Sequence, residues 1–275
     1  GGANQGGPSI NSGGRNNGIM TNYAGGVNFN SNYGKKGQSS VNGNYFYNYL
    51  DHTLSQNMFR ENFLPSGNFN FEQNSFRNNT NDNHRANLIV DHKIDSANSF
   101  RWTNGFTLNE TDSRQVSNSE TYTAAGTIQN ESENLSLASG TTLNFNSNFL
   151  YRHRFKKKGR TVSANLALNL SNTERSGTLN ATNTFYTPMF QQQVIDQRNS
   201  QTTDNTSYGA TVSYTEPLGN RKYLEANYNV NVNSNAVNRE VYDVENEELI
   251  FNTALSNKFS SDYLYQRAGL NFRMN

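Results

Sequence analysis

Apolar and polar residues alternate along this chain in short, recurring stretches. The plainest covers 161–172, where Val162, Ala164, Leu166, Leu168 and Leu170 alternate with Ser163, Asn165, Ala167, Asn169 and Ser171. A helix would scatter these leucines around its circumference, whereas a strand puts all of them on one side. The same period of two predicts strands over 18–33, 39–50, 84–94, 99–109, 141–155, 161–172, 207–216, 222–233 and 263–275. Only 39–50 is imperfect, because Phe46 interrupts its polar face. Short polar turns fall near 34–37, 95–98, 156–160 and 217–221. Lys35, Ser96, Lys157 and Leu218 within them stand 61 residues apart each time. Asn/Ser/Thr-rich stretches such as 51–80 and 110–140 show no alternation and read as long loops, and 1–17 reads as the tail of another.

Short turns alternating with long loops are the pattern of a transmembrane β-barrel. The expected fold is therefore all-β: an antiparallel up-and-down meander of about nine strands, a partial transmembrane β-barrel. Residues 1–275 would be part of one outer-membrane barrel domain, with periplasmic turns at 34–37, 95–98, 156–160 and 217–221. Aromatic placement points the same way. Tyr33, Phe100, Trp102, Tyr151, Phe155, Tyr214 and Tyr223 lie close to a short turn, and Tyr45, Tyr47 and Tyr49 lie about ten residues from one. That separation is roughly what a tilted strand needs to cross a bilayer between two aromatic girdles. Long outer loops favour a large barrel, and plugged transporters have 22 strands. Nine strands would then form under half of the wall.

Composition removes several alternatives. Basic and acidic residues number 23 and 22, so there is no basic field for nucleic acid. Cysteine is absent, which excludes disulfides and thiol chemistry. Only 33% of residues are hydrophobic, yet aromatics reach 12% and Asn exceeds one residue in six. A barrel wall reconciles these figures, since only its lipid face must be apolar. No run of 18 apolar residues exists to form a spanning helix. The opening Gly1-Gly2-Ala3-Asn4 carries no signal peptide, so the chain is expected to be a piece of an exported protein.

Candidate chemistry is sparse. No nucleophile elbow, His-x-x-x-His or defensible carboxylate pair is present, so no catalytic residue, cofactor or metal ligand is assigned and an enzyme is not expected. His84, His92 and His153 show no paired short spacing, the Lys156–Arg160 run reads as a solvated turn, and Asp243, Glu245, Glu247 and Glu248 read as an acidic loop. Function would sit on the polar inner face. There, rows of Asn, Ser and Thr accompany Arg152, Arg154, Glu225, Arg267 and Arg273, facing a polar solute or a plug. No single substrate-binding residue stands out from that wall.

Three stretches carry a family resemblance: GIMTNYAGGVNFNSNYGKKGQSSVNGNYFYN (18–48), NDNHRANLIVDHKIDSANSF (81–100) and YQRAGLNFRMN (265–275). They resemble Bacteroidetes outer-membrane β-barrel proteins of the TonB-dependent receptor type. The resemblance implies active import of a scarce solute such as a chelated metal, glycan or peptide. It also implies a plug domain and a TonB-contact motif outside these residues, outer-membrane lipid around the wall, and a possible surface lipoprotein partner. The alternative expectation is a plug-less outer-membrane barrel acting as an adhesin, passive pore or scaffold.

Overall fold

A single antiparallel sheet accounts for nearly all of the molecule. The structure, a computed structural model, describes residues 18–34, 37–65, 67–219 and 221–274. The expected loop tail at 1–17, the turn residues Lys35, Lys36 and Asn220, and the terminal Asn275 lie outside the described residues. The strands are β1 (Ile19–Tyr33), β2 (Ser39–Asn62), β3 (Phe69–Lys93), β4 (Asn98–Thr123), β5 (Ile128–Arg154), β6 (Thr161–Phe185), β7 (Gln191–Gly219), β8 (Lys222–Glu245), β9 (Glu248–Phe251) and β10 (Asn257–Met274). Each pairs with its sequence neighbour in the order β1-β2-β3-β4-β5-β6-β7-β8-β10, while β9 folds back on the end of β8 alone. The outer edges of β1 and β10 pair with no other described strand, so the meander is an open sheet, as a partial barrel must be.

Register explains why one face is apolar throughout. Residues opposite each other in neighbouring strands share a face. Phe106 faces Phe145, which faces Leu170; Leu168 faces Tyr208, which faces Val232, which faces Leu264. Apolar side chains thus align in a continuous band across the sheet. None of the described residues covers it: Leu166 is 55% exposed and Leu270 74%, and only Ala181 and Val241 are buried hydrophobics among the described residues. A one-layer wall has no core of its own, so hydrocarbon must supply the second layer. Polar groups in the band bond to one another. Trp102 Nε1 donates to Ser147 Oγ (3.0 Å), and Ser147 Oγ donates to Asn104 Oδ1 (2.8 Å).

The main correction concerns length. Strands β2 to β8 run 24 to 29 residues, so the stretches expected as loops at 51–80 and 110–140 are strand for most of their length. Likewise 161–172 continues to Phe185, 207–216 begins at Gln191, 222–233 continues to Glu245, and 263–275 begins at Asn257. Alternation stops where the wall leaves the hydrocarbon, because both faces then meet water and neither needs apolar residues. What remains is backbone pairing and polar cross-strand pairs. Thr142 and Thr173 hydroxyls meet at 3.2 Å, Ser139 and Ser176 at 2.9 Å, and Ser132 donates to Asn183 at 2.7 Å. The real connections at the far rim are short, at 63–68, 124–127, 186–190 and 246–256. The 61-residue interval is the length of one tall hairpin. At roughly 3.3 Å per residue and a tilt near 40°, strands this long rise roughly 60–75 Å, about twice the hydrocarbon thickness.

The near rim, beside the apolar band, is tied turn to turn. Glu216, at the end of β7, accepts Lys157 Nζ (2.5 Å), Arg160 Nε (2.7 Å), Arg160 Nη2 (2.8 Å) and the Tyr214 hydroxyl (2.6 Å). Arg160 first, then Lys157 and Tyr214, hold its carboxyl far below the usual carboxylate range. Gly159 (φ +89°) completes the contact. A Cβ there would lie 3.0 Å from Tyr223 Cε1 and 3.3 Å from Pro217 Cβ. In the turn before β4, Asp95 is also held low, by the Asn98 side chain and then the Ala97 and Asn98 amides.

Candidate functional site: the lumenal wall

The face opposite the apolar band lines the lumen. Its middle is a field of amides and hydroxyls. One row reads Asn28, Asn44, Asn87, Gly105, Asn146, Asn169, Ser207, Asn233 and Tyr263 across nine strands. Neighbouring amides bond across strands: Asn87 donates to Asn44 (2.9 Å), Asn83 to Asn109 (3.2 Å) and Asn229 to Thr211 (2.7 Å), and Asn235 donates to Asn205. Asn144, Asn146, Asn169, Asn205, Asn233, Asn235 and Tyr263 line a groove of about 430 Å³ on this face.

Glycine keeps that surface smooth. Gly105, Gly177, Gly209 and Gly269 each stand opposite an asparagine, namely Asn146, Asn199, Asn231 and Asn227. In each pair the asparagine lies across the space a Cβ would fill, most closely for Asn146 over Gly105, then at 2.7 Å for Asn227 over Gly269 and 2.8 Å for Asn231 over Gly209. Phe46, the residue that broke the expected polar face of β2, covers Gly26 in the same way at 3.0 Å, shielding backbone a glycine leaves bare.

All five charged residues expected on the inner face are there: Arg152, Arg154, Glu225, Arg267 and Arg273. Three more basic residues accompany them toward the near rim, Arg85, Lys93 and Arg101, the last in a bidentate pair with Asp91 (2.7 and 2.9 Å). Sequence reasoning missed the basic residues of the upper wall. Arg60, Arg77, Arg175 and Arg239 also face inward, with Asp243, Glu245 and Glu248, which stand in β8 and β9 rather than in an acidic loop because β9 folds back and pairs with the end of β8. Tyr223 also needs correction. It faces inward, not into a lipid girdle, with the Arg273 guanidinium 5.4 Å above its ring.

The exterior carries the opposite sign. Asp51, Asp82, Glu110, Asp204 and Asp262 stand just above the apolar band. Glu61, Glu72, Asp112, Glu120, Glu131, Glu133, Glu174, Asp196 and Glu240 follow higher on the same face. Histidines 84, 92 and 153 also face outward, the first two on β3 and the third on β5, each Nδ1 hydrogen-bonded within the sheet: to Tyr45 (2.6 Å), Ser39 (2.7 Å) and Asn98 (2.7 Å). Among the described residues no group of three or more His, Cys, Asp or Glu is arranged to hold a metal.

Comparison with known proteins agrees with this geometry. Residues 153–268 match the model of the outer membrane protein beta-barrel family. That match spans β6 to β8 and most of β10, including the strands whose alternation is plainest. No curated protein matches the chain. Together with the lipid-facing band, the match makes this an outer-membrane, multi-pass β-barrel wall.

Proposed function

We infer that this wall belongs to an importer of the TonB-dependent receptor type that takes up a scarce solute. The single observation that carries this reading is the lumenal face. It is predominantly polar along strands twice as tall as the membrane requires, so it offers a long hydrated surface along which a solute is handed inward. Nine full strands leave the sheet open, which favours a large parent barrel of about 22 strands, wide enough to need a plug. In this reading the near-rim turns face the periplasm and the far rim projects from the cell. Lipid covers the apolar band, a plug fills the lumen and TonB engages from the periplasm, with room for a surface lipoprotein at the far rim. The protein is not an enzyme and binds no nucleic acid.

The test is in vivo photocrosslinking between the full-length protein and TonB, paired with solute flux into liposomes. Crosslinks to TonB and tight liposomes support an importer. Absence of crosslinks with free passage of small solutes would overturn it in favour of a passive pore.

A further inference from the structure

A formal charge of +1 conceals a strong separation of sign. Within the described strands, eleven basic and five acidic side chains face the lumen, against four basic and fifteen acidic on the exterior. The membrane does not force this. Above the apolar band both faces meet water, and hydration alone is indifferent to which sign goes where. Most lumenal cations are also uncompensated: among the described residues only Arg101 has a carboxylate within ion-pair distance. On the upper wall Arg175 and Arg239 flank Gln201 as its two cross-strand neighbours. Near the lower rim Lys93 of β3 and Arg152 of β5 flank Ser99 of β4 as its two cross-strand neighbours, with Arg154 two residues further along β5. A concave wall of one sign with low-dielectric backing concentrates counter-ions.

We propose that the lumen selects an anionic solute, one bearing carboxylate, phosphate or sulfate groups. This rests on the importer reading and names its substrate class. The upper arginines draw the anion off an exterior that repels it. The neutral asparagine field then exchanges hydrogen bonds with it, without a charge to trap it, and the lower basic cluster receives it.

The chain contains no cysteine, so single cysteines can report the local potential. Gln201 and Ser200 are adjacent and face opposite sides. Gln201→Cys and Ser200→Cys are placed separately in the full-length protein in outer-membrane vesicles. Each is labelled with sulfonatoethyl and trimethylammonioethyl methanethiosulfonates of opposite charge. Relative to a free thiol, the anionic-to-cationic rate ratio is expected to rise about tenfold at Gln201→Cys, fall at Ser200→Cys, and converge as salt shortens the Debye length. Arg175→Gln with Arg239→Gln should return the lumenal ratio toward unity. Millimolar citrate, but not glucose, should slow anionic labelling there. Equal ratios on the two faces, a lumenal ratio insensitive to the arginines, or a Gln201→Cys that neither reagent reaches would each overturn the proposal. None of these outcomes alters crosslinking to TonB, so the two readings fail separately.

Discussion

Arginine substitution at Leu166 and at Asn165 measures which face of the wall meets lipid. The two residues are adjacent in β6 and point to opposite sides. Leu166 lies between Phe149 and Ala210, and Asn165 lies between Leu150 and Thr211. Val162 and Leu170 bound the apolar band of β6, each four residues from Leu166. At roughly 3.3 Å per residue and a tilt near 40°, Leu166 sits roughly 10 Å from either boundary, close to the bilayer midplane. An arginine there costs about 2–4 kcal/mol, against about 0–1 near an interface. Neither Phe149 nor Ala210 offers a hydrogen-bond partner to lower that cost. The folding equilibrium should therefore fall roughly thirty- to a thousandfold. Asn165→Arg places the same charge in water and should stay within about 0.5 kcal/mol. The assay is reversible guanidinium unfolding of the full-length protein in phospholipid vesicles, with Trp102, the single tryptophan of this chain, as a probe inside the band. Equal costs at the two positions, or a larger one at Asn165, would refute the assignment of faces.

Other outcomes follow from the same geometry. A Cβ at position 209 would lie 2.7 Å from the backbone oxygen of Val230, so Gly209→Ala should cost about 1–3 kcal/mol through forced backbone movement. Gly105→Ala meets only the Asn146 side-chain amide, which can swing into the lumen, and should cost under about 1 kcal/mol in the same unfolding assay. Because the Glu216 carboxyl is held low in the folded state, the clamp's contribution is complete above the ordinary carboxylate range and is lost only as pH falls through the lowered value. Hydrogen exchange in the 156–160 turn should therefore be slow in the native protein even at pH 4. Glu216→Gln should speed it at neutral pH, and a native turn already fast at pH 4 would sink the claim. Glu72, Glu120 and Glu131 stand directly opposite one another on the exterior. Glu120→Gln should stabilise the upper sheet by about 0.5–1 kcal/mol at low salt, read as a higher melting temperature.

Legibility in the sequence followed the solvent. Where lipid presses on one face, as from Val162 to Leu170 or Leu224 to Val232, alternation is enforced and the strands, their faces and their register can be read directly. Past Asn172 and Ser234 nothing enforces it, and β6 and β8 continue unannounced. The inward placement of Arg152, Arg154, Glu225, Arg267 and Arg273 was readable because each lies beside apolar neighbours that reveal the parity. Arg175 and Arg239 had no such neighbours. Their signal was adjacency to a charge of opposite sign, Glu174 and Glu240, which in a strand means opposite faces, but only once the segment is known to be a strand. Tyr223 misled because closeness to a turn does not tell which side of the sheet a ring takes.

The tall wall with its short far-rim connections has a consequence for life at a cell surface. Barrels that present long flexible loops offer proteases, phage and antibodies a supply of pliable segments. Here the same stretch of chain is locked into backbone hydrogen bonds, and among the described residues of the far rim irregular segments remain only at 63–65, 67–68, 124–127, 186–190, 246–247 and 252–256. Sequence drift without loss of pairing is then concentrated at those tips and on the wetted exterior. The projecting part behaves as a stiff chimney, holding its entrance tens of ångströms clear of the lipid at a height set by strand length.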